Sequence, residues 1–199
     1  MDHFGTIAFG TQSREHQRRR GSLDGYLDLT SGPAPTGLGP HEIEFLRERD
    51  SFYLASVGEA GWPYVQHRGG PAGFIKVVDE TRIAWADRPG NRQFVSAGNL
   101  DADGRVAIIA VDYPNKRRIK LLGRASFDPQ PDATTLASLG IDGRIEGLVT
   151  VEVVAFDWNC PKHITPRFTI EEVRAGVEPL TKRIEDLESE LTRLRALVG

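Results

Sequence analysis

Apolar and polar residues alternate along most of the middle of the chain, with the period of two that β-strands show when one face is buried. Short segments rich in Gly, Pro, Asp and Asn separate these runs, and helical crossovers between them are missing. The predicted strands lie at 52–57, 62–67, 74–78, 81–86, 105–112, 118–127 and 148–156. We therefore predict a mainly β protein in which an antiparallel sheet closes into a barrel with flanking helices.

The flanking helices are predicted from three shorter patterns. Pro40 opens a helix in which Ile43 and Leu46 share one buried face. A second short helix is predicted over 91–97, and a third within the turn-rich segment 129–144.

The end of the chain has apolar residues at alternating steps of four and three, with Arg, Glu and Lys between them. These residues are Leu180, Ile184, Leu187, Leu191, Leu194 and Val198. The spacing is that of a heptad seam, and it runs for about two and a half heptads. Two interpretations stay open: a helix packed on its own barrel, or pairing with the same helix of a second subunit. We divide the chain into an arm (1–38), a barrel domain (39–170) and a C-terminal helix (171–199).

Charge argues against a nucleic-acid-binding protein. The net charge of the 199 residues is −3, so the chain lacks the broad basic field of such proteins, and any anion site must be built locally. The arm contains three consecutive arginines at 18–20, which we interpret as a solvated helix face. The Gly- and Pro-rich stretch that follows at 31–37 resists regular structure.

Other classes are excluded by missing features. Cys160 is the one cysteine, so an internal disulfide is impossible, which fits a reducing compartment. The sequence has no signal-peptide pattern and no apolar run that would span a bilayer, and we predict a cytoplasmic protein without a membrane partner. The motifs of Rossmann dehydrogenases, P-loop kinases, zincins and α/β-hydrolases are absent. We predict no metal site, because Cys160 and His163 together fall short of four ligands.

Cations gather at the ends of the predicted strands. Five separate elements bring at least one each, and the residues concerned include Arg68, Lys76, Arg92, Arg118 and Lys120. Several Arg and Lys groups together suit a phosphate monoester, and a helix beginning near Asn91 would add backbone N–H donors. Any one of these cations alone fits a solvated strand end. Their combination with glycines at 69, 70 and 90 favours a binding site that a ligand approaches closely.

The same stretch resembles the flavin-binding core of the pyridoxamine 5′-phosphate oxidase superfamily, and more closely a poorly characterised bacterial branch of it. The likeness covers about residues 40–170. It is carried by the segments 52–57, 61–65, 66–70, 90–93, 112–114, 120–125 and 158–164. The resemblance implies an FMN-binding split β-barrel of antiparallel Greek-key type, assembled as a homodimer with the flavin between its subunits.

The resemblance also implies individual roles. The Arg68 and Lys76 side chains would line the flavin, backbone groups of residues 85–86 would meet the edge of its ring, and residues 91–92 would clamp the phosphate. Arg118 and Lys120 would reach across the dimer, and Trp158 would lie near the ring. The complete predicted cofactor site is Gln66, His67, Arg68, Lys76, Trp85, Ala86, Asp87, Asn91, Arg92, Gln93, Arg118, Lys120 and Trp158.

This resemblance supports an FMN-dependent oxidoreductase that acts on a small molecule, with no catalytic acid or base identified. The oxidase's C-terminal Arg-x-His motif is missing, and the nearest segment, 163–167, is arranged differently. We therefore expect a substrate other than pyridoxamine phosphate. The alternatives are a flavin-binding sensor without turnover, and a deazaflavin- or haem-binding barrel in which His67 or His163 would be the candidate haem ligand.

Overall fold

The chain is described by a computed structural model over residues 1–28, 30–158 and 161–198. The strands are β1 (Ser51–Val57), β2 (Pro63–Gly69), β3 (Lys76–Val77), β4 (Arg82–Asp87), β5 (Arg105–Asp112), β6 (Arg117–Asp128) and β7 (Gly147–Trp158). The helices are α1 (Phe4–Ala8), α2 (Thr11–Arg20), α3 (Leu23–Asp28), α4 (Pro40–Arg47), α5 (Val95–Ala102), α6 (Ala133–Ser138) and α7 (Ile170–Val198). One unit contains residues 1–112 and 117–161, and a second contains 113–116 and 162–199.

The strands form an antiparallel sheet in the order β2-β1-β5-β6-β7-β4-β3. The central strands β5, β6 and β7 are a meander, and β4 lies beside β7 although it precedes β5 in the chain. A long connection that returns a strand to the far side of a meander is the Greek-key arrangement. The predicted mainly β, antiparallel split-barrel class is confirmed, but hydrogen bonding leaves the sheet open, because β2 and the two-residue β3 are its edges.

Alternation of side chains fixes the register of the central strands. In β5 the residues Val106, Ile108 and Ala110 are buried, while their neighbours point to the other face. A bulge between Leu122 and Gly123 of β6 shifts its register with β7. A Cβ atom at Gly123 would lie 2.5 Å from the Val151 side chain, so this close approach of the two strands requires glycine.

The core joins the sheet to α4. Phe45 and Leu46 of this helix are almost fully buried, whereas Ile43 is half-buried against the same cluster. Phe52 of β1 and Trp85 of β4 meet edge to face, with ring centroids 4.9 Å apart. Because β1 and β4 are not neighbours in the sheet, this contact requires the sheet to curl around its core.

Two sequence-based boundaries were wrong. The helix predicted over 91–97 begins only at Val95, because Arg92 and Phe94 have left-handed backbone conformations. The strand predicted over 74–78 shrinks to β3, since the Ile75 side chain enters the core instead of continuing a ladder. The N-terminal arm holds three helices, and Arg18 and Arg19 pair with Glu15 on the exposed side of α2.

In the second unit, α7 begins at Ile170, ten residues before the first residue of the predicted seam. The helix therefore extends well before that seam. None of the helices in the described residues combines the length and apolar character that a bilayer span needs.

Candidate functional site

Two adjoining cavities open where β2, β4 and α5 come together. Their volumes are about 260 Å³ and about 380 Å³. Arg68, Asp87 and Arg88 line both cavities and form the wall between them. The first cavity is bounded by loop 88–94 and the first turn of α5, and the second by loop 69–74.

An ion pair forms the centre of this wall. Arg68 Nη1 donates a hydrogen bond to Asp87 Oδ1 at 2.5 Å, and the two side chains are only 17% and 14% exposed. The pair joins β2, at one edge of the sheet, to β4, next to the opposite edge. It therefore exists only because the sheet is curled. The buried Arg68 Nε has no hydrogen-bond partner among the described residues, so this N–H is suited to a bound acceptor.

Loop 88–94 contains two strained residues beside the first cavity. Arg92 has a φ of 59° and Phe94 a φ of 51°, and neither is a glycine. The Gln93 N–H donates to Asn91 Oδ1 at 3.2 Å, which holds the turn between them. Non-glycine residues in this region cost about 1–3 kcal/mol each and concentrate at ligand clamps and active sites. The strained backbone therefore makes loop 88–94 a candidate for contact with a ligand.

The first turn of α5 presents backbone donors to the same cavity. Its N-cap residue, Phe94, makes no side-chain capping bond, and residues 95–97 line the cavity. The helix is fixed in place by two bonds. Ser96 Oγ donates to Gln66 Oε1 at 2.9 Å, and Asn99 Nδ2 donates to Ser56 Oγ at 2.9 Å. Uncapped N–H groups and the helix dipole together make such an end suited to an anion.

The second cavity runs along the outer edge of β4. β3 pairs only with Ile83 and Ala84, so within the described chain residues 85–87 have no strand on that side. The Trp85 side chain is buried in the core, and its Nε1 lacks a partner among the described residues. Trp85 and Ala86 can therefore contact a ligand in this cavity through their backbone groups.

The charges of the first cavity nearly balance. Arg68, Arg88 and Arg92 face it together with Asp87 and Glu146. Asp87 neutralises Arg68, whereas the Arg88 side chain is 55% exposed and its ion pair with Asp142 is 3.9 Å long. Arg88 and Arg92 are therefore the cations that remain accessible to a phosphate, and Arg88 was missing from the predicted site.

Ten of the thirteen predicted site residues line the two cavities. They are Gln66, His67, Arg68, Lys76, Trp85, Ala86, Asp87, Asn91, Arg92 and Gln93. Glu146 and residues 140–142 also line the cavities but were not predicted. They lie there because β7 begins beside the end of β4. No local signal in the sequence marks that long-range pairing.

The other three predicted residues lie elsewhere in the same chain. Arg118 is half-buried on β6 and its Nε lacks a partner in the described part of the chain. Lys120 pairs with Asp157 at 3.7 Å and lies over the Phe4 ring of the N-terminal arm. Trp158 ends β7, whereas Gly147 at the opposite end of that strand pairs with Asp87. One copy of the chain therefore does not bring these residues to the cavities.

Trp158 belongs to a separate polar and aromatic cluster with α4. Its Nε1 donates to Glu42 Oε1 at 2.7 Å, and its ring lies 4.6 Å from that of His41. Burial on its own would raise the pKa of Glu42, but hydrogen bonds led by that from Trp158 outweigh it and lower the pKa below 4.5.

The remaining chemical candidates can be placed only in part. Cys160 lies outside the described residues, so its relation to His163 is not defined. His67 lines the second cavity, and His163 has a φ of 67°. Among the residues that the structure describes, no group of three His, Cys, Asp or Glu side chains is arranged to hold a metal ion.

Comparisons with known proteins give a family and a fold. A family model described as pyridoxamine 5′-phosphate oxidase matches residues 40–149, more than half of the 199 residues. The sequence matches no curated protein. HupZ of Group A Streptococcus aligns with a TM-score of 0.50 and 13% identity, covering 66% of this chain and all of that one, 100%.

Two other solved structures align less closely. A Clostridium acetobutylicum protein related to general stress protein 26 has a TM-score of 0.45 and 15% identity, over 65% of this chain and 92% of that one. HutZ, the haem storage protein of Vibrio cholerae, has a TM-score of 0.42 and 16% identity, over 59% and 91%. Likeness at these identities concerns the fold alone.

Proposed function

The chain belongs to the pyridoxamine 5′-phosphate oxidase family, and we propose that it binds flavin mononucleotide in the two adjoining cavities and acts as an oxidoreductase on a small molecule. The observation that carries the proposal is the meeting of three features around one recess: strained loop 88–94 with its exposed Arg88 and Arg92, the uncapped start of α5, and the Nε–H of Arg68, which is unpartnered among the described residues. Each of these features suits a phosphate group, and together they come from three separate elements.

The residues of the first cavity would hold the phosphate. Arg92 and Arg88 supply accessible positive charge, the first turn of α5 supplies N–H donors, and Asn91 holds the turn that presents them. The residues of the second cavity would hold the ring system. Lys76 and His67 line its wall, and the free edge of β4 at residues 85–87 offers backbone donors and acceptors.

A bound flavin would supply hydride transfer, and the protein would supply position and polarity. The Arg68–Asp87 pair keeps a guanidinium fixed at the wall between the cavities, with its Nε–H available as a donor. Such a fixed N–H donor would stabilise negative charge that develops nearby on reduction. Arg118 and Lys120 would take part only from a second subunit, so the proposal includes a homodimer with the site at its interface.

The proposal is tested by comparing FMN with riboflavin, which lacks the phosphate. The purified chain is expected to bind FMN more tightly than riboflavin in a fluorescence titration. Arg92→Ala should remove about 10- to 100-fold of the FMN affinity, the value of a charge-assisted hydrogen bond, and leave riboflavin affinity nearly unchanged. Arg20→Ala, an equal substitution on the exposed end of α2, is the control and should alter neither affinity.

Two outcomes would contradict the proposal. One is equal affinity of the wild-type chain for both compounds, and the other is an Arg92→Ala loss that riboflavin shares. A visible spectrum of the purified protein tests the haem alternative, since bound haem gives a Soret band. A binding competition tests the deazaflavin alternative, in which deazaflavin would displace FMN. Reduction by NADH or NADPH with sustained turnover would distinguish an enzyme from a sensor.

A further inference from the structure

The helix α7 presents a continuous apolar stripe that its own unit leaves uncovered. It has 29 residues, and every side chain described in it is exposed. A reciprocal capping box starts it: the Thr169 N–H donates to Glu172 Oε2 at 2.7 Å, and the Glu172 N–H donates to Thr169 Oγ1 at 3.1 Å. At about 1.5 Å per residue the helix is roughly 43 Å long.

Apolar residues recur along α7 at alternating steps of three and four from its first residue to its last. They are Ile170, Val173, Val177, Leu180, Ile184, Leu187, Leu191, Leu194 and Val198. The repeat thus extends over four heptads, and the first eight side chains are 45% to 66% exposed. A contiguous exposed apolar stripe of this length marks an interaction surface.

The residue types in the stripe indicate what covers it. In heptad notation, position a is occupied by Ile170, Val177, Ile184, Leu191 and Val198. Position d is occupied by Val173, Leu180, Leu187 and Leu194. Four of the five a residues are β-branched and three of the four d residues are leucine, and this combination favours two parallel strands. We propose that α7 pairs with α7 of a second copy of this chain as a parallel two-stranded coiled coil.

The charges beside the stripe fit the same partner. In a parallel pair, position g of one helix meets position e of the next heptad on the other. Arg183 at g would face Glu188 of the second copy, and Glu190 at g would face Arg195 of the second copy. Both combinations are attractive. Within one helix, the two members of each combination are five residues apart and do not contact each other. Their charges can therefore form these ion pairs only between two helices.

The rest of α7 explains why only two strands are expected. Its outward heptad positions are almost all polar: Glu171, Glu172, Glu178, Lys182, Glu185, Asp186, Ser189, Thr192 and Arg193. Pro179 also lies at an outward position, where its ring is clear of the stripe. It removes one backbone hydrogen bond, to the Ala175 carbonyl, so we expect the firmest pairing after it, over residues 180–198.

Disulfide trapping in the full-length chain tests this pairing. In a Cys160→Ser background, Leu180→Cys and Leu194→Cys place a thiol at two d positions, and Ala196→Cys places one on the outward face. Mild oxidation should convert both d-position variants largely to covalent dimers, at least ten-fold faster than Ala196→Cys. The two d sites lie roughly 21 Å apart along the helix. In an antiparallel pair, at most one of these two residues could lie beside the same residue of the second chain. Crosslinking at both sites therefore requires parallel helices.

The proposal would be overturned if only one of the two d-position variants were trapped, or if neither were. It would also be overturned if Ala196→Cys were trapped at the same rate as they are. A helix that packs on its own barrel would leave both variants monomeric in this assay. FMN titration of the same variants distinguishes a failure of the coiled-coil proposal from a failure of the FMN-binding proposal. Because the trapped residues lie on α7 and the cavities lie in the other unit, FMN affinity should be unchanged in all three.

Discussion

At the residue scale, the Arg68–Asp87 pair is the contact on which the shape of the site depends. Both side chains are mostly buried, so removing one member leaves the other charge poorly solvated. Asp87→Ala should lower the free energy of unfolding by about 3 kcal/mol, measured by urea denaturation. The double variant Asp87→Ala with Arg68→Met should recover part of this loss, because no buried charge is then left alone.

The matched control for this prediction is Asp142→Ala. Asp142 is paired with Arg88 at 3.9 Å, but its side chain is fully exposed to water. Such pairs contribute about 0–1 kcal/mol, so Asp142→Ala should be close to the wild-type protein in stability. A similar loss for Asp87→Ala and Asp142→Ala would show that burial of the central pair does not matter.

At the element scale, the order of charges along α7 predicts a specific rescue. Arg183→Glu would place a glutamate against Glu188 of the second copy, twice in each coiled coil. At about 0.5 kcal/mol per repulsive pair, the concentration needed for half-maximal trapping through Leu194→Cys should rise at least about five-fold. Adding Glu188→Arg reverses the second charge as well and should restore trapping.

Arg193→Glu is the control for that rescue, since it makes the same charge change at an outward heptad position of the same helix. It should leave the trapping concentration unchanged. The effect of Arg183→Glu should also fade at high salt, because exposed charges are screened. A loss that persists in high salt, or that Glu188→Arg fails to reverse, would mean that the helices meet in another register.

At the scale of the whole molecule, sequence alone predicted what depends on alternation and little of what depends on long-range pairing. The strands were found because a buried face requires every second residue to be apolar, as in β5. The start of α5 was misplaced because Arg92 and Phe94 carry no sign of a left-handed backbone. The predicted site residues at 66–93 come together because the sheet curls, whereas the approach of Glu146 depends on the β4–β7 register.

The C-terminal helix shows the same division. Its seam from Leu180 onward was evident from the spacing of leucines. The helix was predicted from residue 171, but its seam was started ten residues too late, because the apolar positions there are fewer and Pro179 interrupts the pattern. The Thr169–Glu172 capping box was a readable signal of the helix start. The proposed partner of the seam can be read from one chain only indirectly, through the residue types at its heptad positions and the order of its flanking charges.

The stability of the whole molecule in acid should depend on the contact between α4 and β7, where Trp158 is hydrogen-bonded to Glu42. The hydrogen bond from Trp158 favours ionised Glu42, whose pKa is lowered from 4.5. A contact between His41 Nδ1 and Glu42 Oε1 at 3.4 Å lowers the same pKa further. A lowered folded-state pKa contributes stability that is complete above about pH 4.5 and is lost as the pH falls through the lowered value.

Glu42→Gln isolates this contribution. At pH 7 it should lower the free energy of unfolding by roughly 1–2 kcal/mol, because a charge-assisted bond becomes a neutral one. At about pH 3 the difference from the wild-type protein should shrink, because this pH lies below the ordinary pKa of 4.5 and the unfolded chain then binds a proton at Glu42 more readily than the folded protein does. Glu44→Gln changes an exposed carboxylate of the same helix and should show little difference at either pH. Urea denaturation at both pH values measures all three proteins, and a Glu42→Gln deficit that is equal at both would show that the ionised carboxylate does not hold α4 to β7.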